Sequence, residues 1–381
     1  MGKRVGRAVS TALRKSAARF AFVFEGALFS AALVISAQAS AAGTPPDAAS
    51  GPQTQPGSAD LSKVTLVVGQ QGSDNNLGFI KSHLFDDTPY KIQYALFQSP
   101  TATLTALASG RVDIANNLSQ WTLTQGAAAA TTPWTAATAP YRTVLVTGPD
   151  PSAHLDRFVI VASRQSGITD IHQAKGKRWG YIPGASPNLL AYVVLHRLGW
   201  TPNDIQTVAL DGTNQALALE TGRVDVIFNV TDNVAAAIQH GAKVLGTAQD
   251  YGLTVYTGYQ ANSRAIDDPV KGRAIADFVH RLVLYHNWVV QHPKASQAAL
   301  VEGLHETPAQ AADVYLRSRL IPIAPGDIAA YSQQLSDFAL QTGLIHQHVD
   351  AAALLDNRFA NDIDNTLKET DFKAHLQASY H

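Results

Sequence analysis

The sequence contains no cysteine. No disulfide can staple the fold, even in a compartment that permits one, and no lipid can be attached through an N-terminal cysteine. It also lacks a G-x-S-x-G elbow, an H-E-x-x-H pair, a P-loop and a G-x-G-x-x-G turn. The commonest hydrolase, zinc-protease, nucleotide and dinucleotide signatures are therefore excluded. No uncharged apolar run reaches the length of about twenty residues that crosses a bilayer. Of the 13 histidines, His280 and His286 fall on a predicted core helix, and His346 and His348 flank Gln347 in a late loop without a carboxylate cluster. No metal, no cofactor and no catalytic residue are expected.

What is present is a chain of 381 residues, 46% of them hydrophobic, enough for two lobes with sizeable cores. The first 39 residues read as a cleaved secretory signal. Lys3, Arg4, Arg7, Arg14, Lys15 and Arg19 precede an apolar stretch over 26–37, and Ala37-Gln38-Ala39 supplies small residues at a cleavage site. Removing 1–39, with six basic residues and one acidic, takes 29 Lys/Arg and 30 Asp/Glu to 23 and 29, a balance of −6. An acidic chain without a basic patch argues against nucleic acid and membrane surfaces as partners. Residues 40–60, rich in Pro, Gly, Ser, Ala and Gln, read as a flexible linker.

From Leu61 onward, short β-branched runs alternate with helical periodicity. Strands are predicted over 63–68, 92–97 and 112–115, with helices after 77 and over 103–109. This order predicts an α/β fold built on parallel sheets, with ligand loops at the carboxyl ends of the strands. A near-repeat, ALASGRVDIANN at 106–117 and ALETGRVDVIFN at 218–229, predicts two similar α/β lobes, each with an Asn at a strand end. Arg157 to Ala162 and Leu253 to Tyr259 read as strands where the chain crosses between lobes and returns. The expected divisions are 61–162 for the first part of lobe 1, 163–255 for lobe 2, and 256–381 for the rest of lobe 1. From Asp268 the chain reads as wholly helical, with an apolar stripe of Ile275, Phe278, Val279, Leu282 and Val283 packing onto lobe 1.

The candidate site residues lie in polar loops after predicted strands. They are Gln71, Ser73 and Asp74 after the first strand, Ser99 after the second, and Asn117 with Ser119 after the third. Gly184, Ala185 and Ser186 open the helix running to Leu198, with Ser186 as its expected cap and an anion site at its N-terminus. Thr213, Asn229 and Thr231 complete the set. Asp74, Asp211 and Asp232 are the acids nearest these loops and read as solvated or capping residues. Arg142 is the one arginine near them and is expected to point into a sheet. Backbone N–H groups, hydroxyls and amides would then bind an anion, with Trp121, Tyr141 or Tyr181 covering an organic tail.

These motifs resemble the periplasmic receptors of ABC importers for aliphatic sulfonates, taurine and nitrate. The resemblance rests on VTLVVGQQGSDN, LASGRVDIAN, KGKRWGYIPGASPN, TPNDIQTVALDGTNQALALETGRVDVIFN and Trp288 to Pro293. It spans about Lys63 to Phe359. It implies the type II periplasmic-binding-protein fold, with two α/β lobes joined by two crossing strands and closing on a small organic anion. It also implies an unlipidated periplasmic monomer that hands its solute to an inner-membrane permease driven by a cytoplasmic ATPase. Three departures fall in the pocket. Ser99-Pro100 stands where the family often has Gly, Val230-Thr231 where sulfonate receptors often have Trp-Asp, and Asn117-Leu118-Ser119 where a Thr-Gly-Glu-like segment is usual. The alternatives are an enzyme resembling the thiamine-pyrimidine synthases, whose cysteine-rich motif is absent, and a sensory binding protein.

Overall fold

The computed structural model describes residues 60–71, 77–150, 157–210, 215–304 and 307–380. The expected signal and nearly all of the linker, together with Ser73, Asp74, Asp211 and Thr213, lie outside them. Among the described residues, no helix is long and apolar enough to cross a membrane.

The chain begins with β1 (Thr65–Gln71), α1 (Leu77–Ser82), β2 (Lys91–Phe97), α2 (Pro100–Ala108), β3 (Ile114–Ser119), α3 (Gln120–Ala128) and β4 (Tyr141–Gly148). It then forms β5 (Phe158–Ala162), β6 (Arg178–Tyr181), α4 (Ser186–Leu198), β7 (Gln206–Ala209), α5 (Gln215–Glu220), β8 (Val226–Val230), α6 (Thr231–Gln239) and β9 (Lys243–Thr247). The return strand β10 (Thr257–Asn262) leads into α7 (Ser263–Asp267), α8 (Lys271–Gln291), α9 (Pro293–Leu304) and α10 (Pro308–Ser318). The chain closes with β11 (Ile321–Ile323), α11 (Ala329–Gln341), α12 (Ala360–Glu369) and α13 (Phe372–Ala378).

Two sheets result, one in the order β11-β4-β10-β3-β1-β2 and the other β7-β6-β8-β5-β9. Parallel pairing joins β1 to β2 and β3, and β6 to β7 and β8. The sheets are nevertheless mixed. β10 runs antiparallel to both β3 and β4, β11 to β4, and β5 to both β8 and β9. The strands expected to cross between lobes are thus interior members of the sheets, and the crossings are the connections between β4 and β5 and between β9 and β10. β5 belongs to the five-stranded sheet, although the sequence reading placed it in the first lobe. The late chain is not wholly helical either, since β11 edges the first sheet; Pro322 is tolerated there because an edge strand leaves one side unpaired.

The two halves of the near-repeat are built alike. Gly110 and Gly222 take left-handed φ values of 77° and 68° after α2 and α5. Val112 and Val224 then donate their amides back to Ala106 and Ala218. Asp113 Oδ2 accepts the Val67 amide on β1 at 2.9 Å, and Asp225 Oδ2 accepts the Arg178 amide on β6 at 2.9 Å. Each aspartate ties a helix–strand junction to the start of the neighbouring parallel strand, so both strand ends arrive at the same level.

One face of the six-stranded sheet packs on α8 through Leu66, Val68, Ile114, Ile275, Phe278, Val279, Leu282 and Val283. Its opposite face buries Trp121, Leu123 and Tyr141, together with Leu189 of α4 from the other half. The five-stranded sheet is covered on both faces, by α4 around Trp179 and Phe228 and by α5 and α6 around Val161 and Ile227. Burying each large side chain contributes about 1.5–3 kcal/mol. These two cores place the carboxyl ends of β1, β3, β6 and β8 around one cleft.

Candidate functional site

The cleft encloses about 150 Å³. The six-stranded half contributes Gln71, Pro100, Asn117, Ser119, Thr122 and Thr257; the five-stranded half contributes Arg157, Phe158, Ile182, Ala185, Ser186, Pro187, Gln215, Asn229, Val230 and Asn233. Of the sequence candidates, Gln71, Asn117, Ser119, Ala185, Ser186 and Asn229 meet here. Ser99 stands just outside, capping α2 by accepting the Ala102 amide at 3.2 Å, while its neighbour Pro100 lines the wall. Gly184 and Thr231 also stand behind the lining. Thr231 donates its amide and hydroxyl to the Arg157 carbonyl at 2.9 and 3.2 Å.

Five helices begin at this cleft, the short α5 at Gln215 and the longer α2, α3, α4 and α6; of the longer four, two are capped and two are not. The first two are capped by hydroxyls, Ser99 on α2 and Ser119 on α3, where Ser119 Oγ accepts the Thr122 amide at 3.3 Å. The other two have no side-chain cap. Ser186 is therefore not the cap expected of it: Ala185 occupies that position, and Ser186 is the first helical residue. The Thr231 amide of α6 is taken by the Arg157 carbonyl, and in α4 Pro187 has no N–H and the Asn188 amide returns to Ala185, so what these two ends offer an acceptor is chiefly their partial positive charge.

The two halves meet directly at this level. Thr122 Oγ1 donates to the Gly184 carbonyl at 2.8 Å, and Trp121 Nε1 to Asn188 Oδ1 at 3.3 Å. Gly184 holds φ at 77° in this turn, a conformation open to glycine at no steric cost.

The arginine of the site is Arg157, which the sequence reading did not single out. It is half-buried at the head of β5 and lies 5.9 Å from the Phe158 ring centroid. Its guanidinium has no ion-pair partner among the described residues. Burial pulls its pKa below the ordinary arginine value; Asp232 opposes that fall and Arg317 adds to it. Arg142 is spent elsewhere, binding Ser263, Asp267 and Asp356 beside β4. Asp232 is not a solvated residue, because Arg317 Nε donates to it at 2.8 Å. Trp121, Tyr141 and Tyr181 are buried in the cores, and Phe158 is the aromatic side chain at the cleft.

Asn229, 1% exposed, accepts from the Val230 amide at 2.7 Å and from Asn233 Nδ2 at 3.1 Å through its Oδ1. Its own Nδ2 has no partner. A buried amide donor without an acceptor costs about 1–3 kcal/mol, which an acceptor in the cleft would recover. The described lining holds no carboxylate and no histidine. Among the described residues, no group of three His, Cys, Asp or Glu is gathered to hold a metal. What the site offers is hydrogen-bond donors around one cationic group, with an apolar wall from Pro100, Phe158, Ile182 and Pro187.

Two mixed α/β layers facing one another across such a cleft define the type II periplasmic-binding-protein fold, and this chain has it. Residues 154–279 match the family described as NMT1/THI5 like. The alkanesulfonate-binding protein SsuA of Xanthomonas axonopodis pv. citri, solved with MOPS, superposes with a TM-score of 0.65 at 20% identity, over 77% of this chain and 98% of that one. The periplasmic aliphatic sulphonate-binding protein SsuA of Escherichia coli gives 0.61 at 22% identity, over 77% and 92%. A desulfurization enzyme, DSZB, gives 0.57 at 14% identity, over 80% and 99%. No curated protein matches the chain by sequence.

Proposed function

We propose that the protein captures a small organic anion between its two halves and delivers it to an ABC-type membrane permease without chemical turnover. The observation that carries this reading is the Arg157 guanidinium, which lines the cleft without a carboxylate partner among the described residues. Around it stand the uncapped starts of α4 and α6 and the unpartnered Asn229 Nδ2. An anion at this position would meet a cation, two helix dipoles and a buried donor, each favouring negative charge. Similarity to two sulfonate-binding proteins supports a solute of that kind.

Each sheet with its helices would form one lobe, the second running from Arg157 to about Thr247, with hinges at the two connections. Gln71, Asn117, Ser119, Ala185, Ser186 and Asn229 are the proposed contacts. Ser73, Asp74 and Thr213, which follow β1 and β7 in the sequence, and Ser99, Gly184 and Thr231, behind the wall, complete the proposed set. Export by a cleaved signal over 1–39 and action as an unlipidated periplasmic monomer belong to the same proposal.

The similarity to DSZB shows that this fold also supports catalysis. Turnover through the hydroxyls of Ser119, Thr122, Ser186 or Thr257 would need a base to activate them, and the described lining contains neither a carboxylate nor an imidazole. The test is a thermal-shift and calorimetric screen against alkanesulfonates, taurine, MOPS, nitrate, carboxylates and neutral analogues. A bound anion at a hundred times its dissociation constant stabilises by about 2.7 kcal/mol. The Arg157→Gln variant should lose that shift while keeping its own melt. If every anion binds the variant as it binds the native protein, or if product accumulates, the reading fails.

A further inference from the structure

A second feature bears on how the cleft closes. Arg317 sits in the last turn of α10, a helix held to the six-stranded half: Ala311 and Tyr315 are buried, and Tyr315 Oη donates to the Val289 carbonyl of α8 at 3.3 Å. Asp232 sits in the first turn of α6, which packs on the five-stranded sheet. Their side chains are 8% and 19% exposed, and Arg317 grips Asp232 through both Nε and a terminal nitrogen. Asp313, one turn earlier on α10, accepts from the same guanidinium at 2.6 Å and aims it across the gap. By contrast, the pairs Arg142–Asp267, Arg178–Asp225, Lys271–Asp113 and Arg281–Asp277 each stay within one half.

Resting on the receptor reading, we propose that Asp232 and Arg317 are positioning residues of the site, an ion-pair latch that holds the cleft at binding width. Neither residue lines the cleft. Asp232 lies two residues beyond Val230, which does, and follows directly on Thr231, whose amide binds the Arg157 carbonyl. The latch therefore acts on the position of Arg157 through the start of α6. Asp232 also acts on two guanidinium charges, pairing with Arg317 and attracting Arg157, which Arg317 repels. Burial works against the Arg317 charge, but Asp313 and Asp232 more than restore it. With Asp313 counted, the cluster carries two positive and two negative charges, but both carboxylates pair with Arg317 and neither with Arg157. An anion beside Arg157 gives that guanidinium a partner of its own, screens the repulsion between the arginines and favours the latched arrangement. Solute binding and closure thus share one carboxylate.

The test uses the purified protein with Arg317→Met, which keeps much of the apolar stem, and separately Asp232→Asn, on the opposite half. Small-angle scattering without solute reads the opening directly. Both variants should give a larger radius of gyration than the native protein with unchanged circular dichroism, and the double variant should open no further. For any anion found to bind, the affinity should fall about tenfold, with the ranking of anions unchanged. Unchanged radii in both well-folded variants would overturn the latch even if anions bind. Enlarged radii in a protein that binds no anion would uphold the latch while the receptor reading fails. A change in the ranking of anions would overturn the positioning role and make Asp232 a direct contact.

Discussion

Thr122 on α3 donates its hydroxyl to the carbonyl of Gly184 at 2.8 Å, joining the two halves of the molecule beside the cleft. The same Thr122 hydroxyl lies 2.9 Å from Ser119 Oγ, with which it shares a second hydrogen bond. Replacing Thr122 with valine keeps the shape and removes both bonds, of which only the one to Gly184 crosses between the halves. A net hydrogen bond is worth about 1 kcal/mol, so Thr122→Val should weaken solute binding about fivefold by calorimetry. Gly184→Ala should do more. A Cβ there would lie 3.1 Å from Thr101 Oγ1 and 3.3 Å from Gln125 Oε1, both on the facing half, and left-handed φ costs a residue with a side chain about 1 kcal/mol besides. If Gly184→Ala binds as tightly as the native protein, the contact between halves at this point has no part in closure.

The junction aspartates give a stability prediction. Asp225 receives the Arg178 amide, Nε and a terminal nitrogen at 2.7–3.0 Å, with its side chain 16% exposed. The hydrogen bonds from the Arg178 side chain, foremost, hold its carboxyl below the ordinary pKa of 3.8 despite burial. A depressed carboxylate stabilises the fold above its unfolded pKa and loses that contribution as pH falls through the folded one. Asp225→Asn should therefore cost about 2 kcal/mol at pH 7, and the loss should shrink below pH 3.8. Urea melts at pH 7 and pH 3 check both parts, and equal losses at the two values would contradict the mechanism.

How much of this was legible beforehand differs from strand to strand. The parallel units β1–β3 and β6–β8 carry local signals, above all Gly-Arg-Val-Asp at matching offsets, because one short junction does the same mechanical work twice. β4, β9 and β11 carry little. β9 is a partly exposed edge, and β11 holds three residues with a central proline. The antiparallel direction of β10 depends on pairing Thr257 with Ser119 and Thr147, far apart in sequence, and no local period encodes that. Arg157 escaped notice for a similar reason. It reads as the hydrophilic start of the buried run Phe158–Ala162, and its place in the site appears only when β5 pairs with β8 and sets Phe158 opposite Val230.

A further consequence concerns acid. His286 on α8 is 6% exposed, packed against the Tyr285 ring, with its Nε2 3.5 Å from the Tyr259 hydroxyl and no partner for its Nδ1. Burial pushes its pKa down from 6.5 to about 4. The folded state then resists protonation that the unfolded chain accepts. Stability is complete above about pH 6.5 and falls between there and about pH 4, by roughly 3 kcal/mol. In His286→Phe this part of the decline should vanish. Melting temperatures between pH 7 and pH 4 test it, and parallel profiles for the two proteins would remove His286 as the cause.

The helix starts described around the cleft act before any solute touches the protein. Together with Arg157 they give the mouth a local positive potential, although the full sequence carries a formal charge of −1. Negatively charged molecules would be drawn inward from roughly 8 Å at physiological ionic strength, and ammonium-bearing ones turned away. In the proposed receptor, discrimination by sign would begin in the encounter rate, which rising salt would slow, whereas the lobes would decide afterwards how long a captured molecule stays.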